Sequence, residues 1–189
     1  MMTEADKNQE LIDILDKNGI KTGQIATREE AHRNALWHRI AAVTCVDSKN
    51  RVLIQQRSML KAKNPGKWDI FSAAGHLTTG QDSLSAAARE ISEEIAVSLG
   101  LDASIKDFRF MTSFRKLDDV NDNWHDRQYY DYFIYRIDKI DVDEIKFQES
   151  EVQALRLVEP NELMRMLETG SMVQSMKEGN ILLDYLFKF

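Results

Sequence analysis

The stretch Gly75-His76-Leu77-Thr78-Thr79-Gly80-Gln81-Asp82-Ser83-Leu84-Ser85-Ala86-Ala87-Ala88-Arg89-Glu90-Ile91-Ser92-Glu93-Glu94-Ile95-Ala96-Val97 decides how the chain is read. Asp82 carries the short side-chain oxygen that suits an N-cap, so a helix is predicted from Ser83 to Val97. Leu84, Ala87, Ala88, Ile91 and Ile95 recur at three- and four-residue steps and make one apolar stripe along it. On a helical wheel Glu90 and Glu94 lie about 40° apart, with Glu93 about 60° from Glu90 on the other side. Three carboxylates on one arc repel one another and weaken the helix unless something compensates. A divalent cation would do so, and Mg²⁺ suits hard oxygen ligands best when a phosphate completes its shell. From periodicity alone, a solvated acidic face accounts for the same residues equally well. Gly75 and Gly80 bracket the approach to the helix, where a backbone without Cβ can turn tightly and come close to an anion.

Outward from this helix the punctuation is sparse, with two prolines and eight glycines. Glu10–Leu15 and Ile20–Ile25 flank Asn18-Gly19, so residues 1–26 read as an N-terminal β-hairpin extension. Thr27 and Glu30 have the spacing of a capping box opening a short helix through Leu36. Strands are predicted at Arg39–Val46 and Arg51–Gln56, followed by a basic loop from Arg57 to Lys67 that closes at Pro65-Gly66. Asp69–Ala74 reads as a short strand ending at Gly75. Further strands are expected near Phe108–Phe114, Arg127–Ile137 and Val152–Val158, the last leading through Pro160 into a helix from Asn161 to Leu167. Residues 172–189 read as an amphipathic helical tail. The whole, 1–189, is one α/β (α+β) domain with helices packed on a mixed sheet.

A chain of 189 residues has room for one full-sized core and not for two. Its net charge of −6 argues against a general nucleic-acid binder, which needs clustered cations. One local basic cluster can still hold a small phosphorylated ligand. Cys45 is the single cysteine and lies in an apolar run, as a buried structural thiol would. The first ten residues lack the apolar stretch of a signal peptide, and no run reaches membrane-spanning length, so a cytoplasmic protein is expected.

The spacing Gly75, five residues, Gln81, seven residues, Arg89-Glu90-Ile91-Ser92-Glu93-Glu94-Ile95-Ala96-Val97 resembles the Nudix box of 75–97. That box reads Gly, five residues, Glu, seven residues, Arg-Glu-apolar-x-Glu-Glu-x-Gly-apolar. Only Gln81 and Ala96 depart from it. The resemblance implies an α/β/α sandwich and a hydrolase in which Mg²⁺ or Mn²⁺ assists attack of water on a diphosphate. It implies Glu90, Glu93 and Glu94 as metal ligands with Arg89 beside them, acting on a nucleoside-diphosphate-type or related small molecule. Gln81 can still hydrogen-bond Arg89, but the carboxylate charge is gone.

Ala31-His32, Trp37-His38-Arg39, Gln56-Arg57-Ser58, Pro65-Gly66-Lys67-Trp68-Asp69 and Ala74-Gly75-His76 look like the isopentenyl-diphosphate isomerase-like branch, over roughly Leu11 to Val158. That likeness implies a second metal site at His32, His38 and His76. The isomerases add two glutamates, here aligned with Asp126 and Gln128, and a cysteine where this chain has Ala74. Alanine transfers no proton, so hydrolysis is expected rather than isomerisation. The alternatives kept open are an isomerase-like enzyme and a non-catalytic ligand-sensing module. Gly75, His76, Arg57, Lys61 and Lys67 are the expected substrate contacts, against the plainer reading of a solvated loop. Glu149 and Glu151 are the candidate general bases. The apolar tail must be covered by its own domain or by a second copy in a homodimer.

Overall fold

The computed structural model describes residues 4–61, 63–93, 107–147 and 149–187. Helix α1 spans Glu4–Asn8, strands β1 and β2 span Leu11–Leu15 and Lys21–Thr27, and α2 spans Arg28–Arg33. Strands β3 (His38–Asp47), β4 (Val52–Arg57), β5 (Trp68–Asp69) and β6 (Ala73–His76) precede α3 (Ser83–Ile91). After it come β7 (Phe108–Asn121), β8 (Trp124–Ile137), a 3₁₀ turn at Val142–Glu144, β9 (Val152–Val158), α4 (Pro160–Glu168) and α5 (Met176–Phe187).

The architecture follows from β3. Its residues Ile40–Val46 are almost all apolar, and a strand of that composition needs cover on both faces. Ala41, Val43 and Cys45 pack with Ala86, Ala87 and Ile91 of α3. Ala42 and Val46 point the other way, towards Leu163 and Leu167 of α4 and Leu182, Leu183 and Leu186 of α5. β8 alternates in step, with Phe133 and Tyr135 on the α3 side and Tyr132 and Ile134 on the α4–α5 side. β3 runs parallel to β8, whereas its pairings with β4 and β6 are antiparallel, so the sheet is mixed. The seven strands run β5-β4-β3-β8-β7, with β6 on β3 and β9 on β4. The expected sandwich is what forms.

The hairpin β1–β2 stands outside this sheet. Asp16 Oδ1 accepts from the backbone N–H groups of Asn18 (2.8 Å) and Ile20 (3.0 Å), which folds the turn. Gly19 has φ +83°, and a Cβ there would press on the Tyr129 ring at 3.1 Å. Ile12, Ile14, Ala26 and Ala31 form the hairpin's own small core. Thr27 and Glu30 complete a reciprocal capping box on α2.

Several expected boundaries shift. A short helix, α1, precedes the hairpin. The strand expected over Asp69–Ala74 is broken into β5 and β6, and β6 continues through Gly75 to His76 because those residues pair with Ala41 and Ile40. β7 and β8 run on to Asn121 and back from Trp124, beyond the apolar segments that marked them, because ladder bonding continues through polar residues. The tail helix starts at Met176, where Ser175 and Glu178 cap it reciprocally. The helix over 83–97 is α-helical to Ile91 and widens to a π-type turn at Ser92 and Glu93. Glu94, Ala96 and Val97 lie outside the described residues.

The tail is covered by its own domain, with Leu182 and Leu186 almost inaccessible in the second core. Leu182→Ala is therefore expected to cost about 2–5 kcal/mol through lost contact and a residual cavity. Urea unfolding measures it; a cost near zero would mean that α5 does not pack here.

Candidate metal and phosphate site

The starts of β3 and β8, the end of β6 and the C-terminal half of α2 meet at one edge of the sheet. Register places His38 opposite Gln128 and Ile40 opposite His76, and α2 brings His32 over them. One ring nitrogen from each of His32, His38 and His76 lies within 4.8 Å of the others. The surroundings dictate tautomers. His32 Nδ1 faces the Asp126 carboxylate at 3.1 Å and the His125 carbonyl at 3.3 Å, so Nδ1 carries the proton. His38 Nδ1 faces the Leu36 carbonyl at 2.8 Å and does the same. The Nε2 lone pairs of both rings are left pointing inward, His32 Nε2 at 3.0 Å from His76 Nε2. Gln128 Nε2 lies 3.3 Å from His38 Nε2, and Gln128 Oε1 is buried with no hydrogen-bond partner. Trp124 stacks on His32 at 4.1 Å, closing the outer side.

Burial, together with the neighbouring His32, lowers His38 to about 4. Burial and the Arg28 charge push His76 well below the ordinary histidine value. Burial alone would raise Asp126, but hydrogen bonds from His32 and Lys63 hold it far below the usual carboxylate range. Lys63 also pairs with Asp118 at 2.8 Å, which pins the basic loop across the β7–β8 hairpin.

The acidic helix meets this cluster at Gly75. Glu90 is buried, not on a solvated flank, and a Cβ on Gly75 would overlap its carboxylate. Gly75 is thus required by a close approach. Burial raises the Glu90 pKa, with the Arg89 guanidinium opposing. Arg89 Nη2 donates to Glu90 Oε1 at 2.7 Å and to the His76 carbonyl at 3.1 Å, and Nη1 reaches Glu93 at 3.5 Å. The expected Gln81–Arg89 bond is not the one made. Gln81 Oε1 accepts from the Thr78 N–H and hydroxyl instead, while Arg89 Nε is buried without a hydrogen-bond partner.

The basic loop divides its cations. Arg57 donates to the Lys63 carbonyl at 3.0 Å and faces Asp69 at 4.0 Å, which makes it a brace of the loop. Lys61 pairs with Glu151 at 2.6 Å. Lys67 lines a separate open cavity of about 710 Å³ with Asn64, Arg115, Lys116 and Glu178. Glu149 is exposed on the turn before β9. Ala74 is exposed and offers only a methyl group. Sequence reasoning missed Lys7 and Arg28, whose charges act on His76. Neither belongs to a local pattern that would have marked it.

A model of the NUDIX domain matches residues 36–177. An Arabidopsis thaliana protein, Nudix hydrolase 3, is 36% identical over 153 residues, 79% of this chain but 19% of its own length. An isopentenyl-diphosphate Δ-isomerase of Streptomyces coelicolor is 36% identical over 101 residues, 53% of this chain and 50% of that one. This chain thus spans a fifth to a half of those two relatives. A Deinococcus radiodurans crystal structure superimposes with a TM-score of 0.68 at 20% identity, covering 94% of this chain and 99% of that one. That likeness concerns the fold.

The histidines generate a pH prediction for the metal-free protein. His38 titrates near 4 when folded and near 6.5 when unfolded, so between those values the unfolded chain binds the extra proton. Stability in EDTA should fall as pH drops from 6.5 towards 4, and the fall should be smaller in His38→Gln. Equal slopes for the two proteins would refute this assignment.

Proposed function

This chain belongs to the NUDIX domain family, and from that premise we propose that it hydrolyses a diphosphate linkage in a nucleoside-diphosphate-type or related small molecule. The observation that carries the reading is the Glu90 carboxylate held against the Gly75 backbone and oriented by Arg89. A buried carboxylate with a raised pKa gains from a nearby cation, and oxygen donors of this kind suit Mg²⁺ or Mn²⁺. Glu90 and Glu93, with Glu94 following in sequence, would hold that ion. When bound it supplies Lewis acidity at the phosphate.

The chain's own groups orient the reactants. Arg89 keeps Glu90 and Glu93 on one side of the helix, and its bond to the His76 carbonyl ties them to the sheet. Of the two candidate bases Glu151 is favoured, because its ion pair with Lys61 holds it in a cation cluster, whereas Glu149 is exposed. His32, His38 and His76 form a nitrogen donor set suited to a softer divalent ion such as Zn²⁺. Asp126 acts there by fixing the His32 ring. Against isomerisation stands Ala74, which carries no proton to exchange; against a purely sensing module stands Glu90, retained and buried. No described helix is long and apolar enough to cross a membrane. A cytoplasmic location and a small-molecule partner, not a nucleic acid, belong to the same reading.

The test is a panel of nucleoside diphosphate derivatives, dinucleoside polyphosphates and prenyl diphosphates with Mg²⁺ or Mn²⁺. Glu90→Gln should lose roughly a hundredfold or more in rate while its melting temperature stays level or rises, since a buried charge is removed. Full rates in excess EDTA would sink the metal requirement. The histidine set is checked separately: Co²⁺ added to the protein should give visible absorption bands that His76→Ala abolishes. Bands unchanged in that variant would remove the second site.

A further inference from the structure

Lys7 lies on α1, ahead of the residues that match the family, and its side chain reaches the site. Its Nζ is 3.8 Å from Glu151 Oε1, and Lys61 Nζ holds the other oxygen of the same carboxylate at 2.6 Å. Two ammonium groups therefore share one carboxylate in this ion-pair group. The Lys7 charge also adds to the lowering of His76 and opposes the burial that raises Glu90. The backbone fixes it there: Glu10 N–H donates to the Lys7 carbonyl at 3.2 Å, and Arg28 N–H donates to the Glu10 carbonyl at 2.9 Å. That second bond ties the end of α1 to the start of α2, the helix that carries His32.

We propose that Lys7 is a phosphate-binding residue of this site, and that its ammonium exchanges the shared Glu151 for an oxygen of the bound diphosphate. The inference rests on the diphosphate reading and adds to it a contact from outside the matched domain. A partly exposed ion pair at 3.8 Å is worth little, so leaving it costs little. A phosphate oxygen offers a stronger charge-assisted hydrogen bond. Lys61 remains on Glu151, which keeps that carboxylate paired. Lys7 would thereby fold the N-terminal segment onto the ligand.

The probe is methylenediphosphonate, a non-hydrolysable diphosphate, titrated with Mg²⁺ into the full chain by calorimetry. Lys7→Ala should weaken binding about tenfold, a typical loss for one charged contact, with an unchanged melting temperature. Lys7→Arg should stay within about threefold of wild type, since it keeps the charge and the donors. Lys49→Ala, on the turn between β3 and β4, should bind as wild type does. Equal affinity of Lys7→Ala and wild type overturns the proposal. So does an equal loss in Lys49→Ala, which would mean diffuse charge, and so does a wild-type protein that binds no probe. Failure of the hydrolase reading is distinguishable: a wild type that binds the probe in a Lys7-dependent way but turns over nothing in the panel supports this contact and refutes hydrolysis.

Discussion

The Glu90 carboxylate rests against the Gly75 backbone, and this contact couples the box helix to the sheet. No side chain fits between them, so β6 must present glycine where it passes the helix. Arg89 completes the joint by bonding both the carboxylate and the carbonyl of the next residue, His76. An acid whose pKa burial raises is thus kept beside a guanidinium and two strand residues. Three further groups are positioned relative to this joint: His76 by the strand it terminates, His38 by the pairing of that strand with β3, Gln128 by the pairing of β3 with β8.

Arg89 bonds the α3 carboxylates and the backbone of His76, which belongs to the histidine cluster. Oxygen donors from α3 suit a hard ion, whereas imidazole nitrogens suit a borderline one. Burial favours the neutral form of His38 and His76, and a metal needs that state in a histidine ligand. Asp126, which the isomerase likeness aligned with a glutamate, pairs with His32 and with Lys63. Gln128 sits where the second glutamate would, with an orphaned carbonyl oxygen beside His38. Ala74 precedes Gly75 and offers only a methyl group.

The cations are divided by what already holds them. Arg57 is spent on the loop that contains it, and Lys63 on the two aspartates of the β7–β8 hairpin. Lys7 and Lys61, both from the first third of the chain, converge on Glu151 from its last third. Such a group is more readily rearranged by an arriving anion than a buried bidentate pair would be, because its charges are partly exposed.

Local chemistry made much of this legible before any coordinates. The capping box at Thr27, the Asp82 cap, the turn at Gly19 and the two-faced apolar pattern of β3 depend on neighbours a few residues apart, so the sequence determined them. The box glycine and its acids were readable for the same reason, as was the buried Cys45. Tertiary structure decided the rest. Whether His32 is exposed or buried, and whether Asp126 binds metal or an imidazole, depends on α2, β6 and β8 meeting from distant parts of the chain. Gln81 bonds Thr78 rather than Arg89, and Lys7 reaches Glu151 across most of the sequence. Periodicity describes one element at a time, and a site assembled at the ends of several strands is set by their register and by competition for partners.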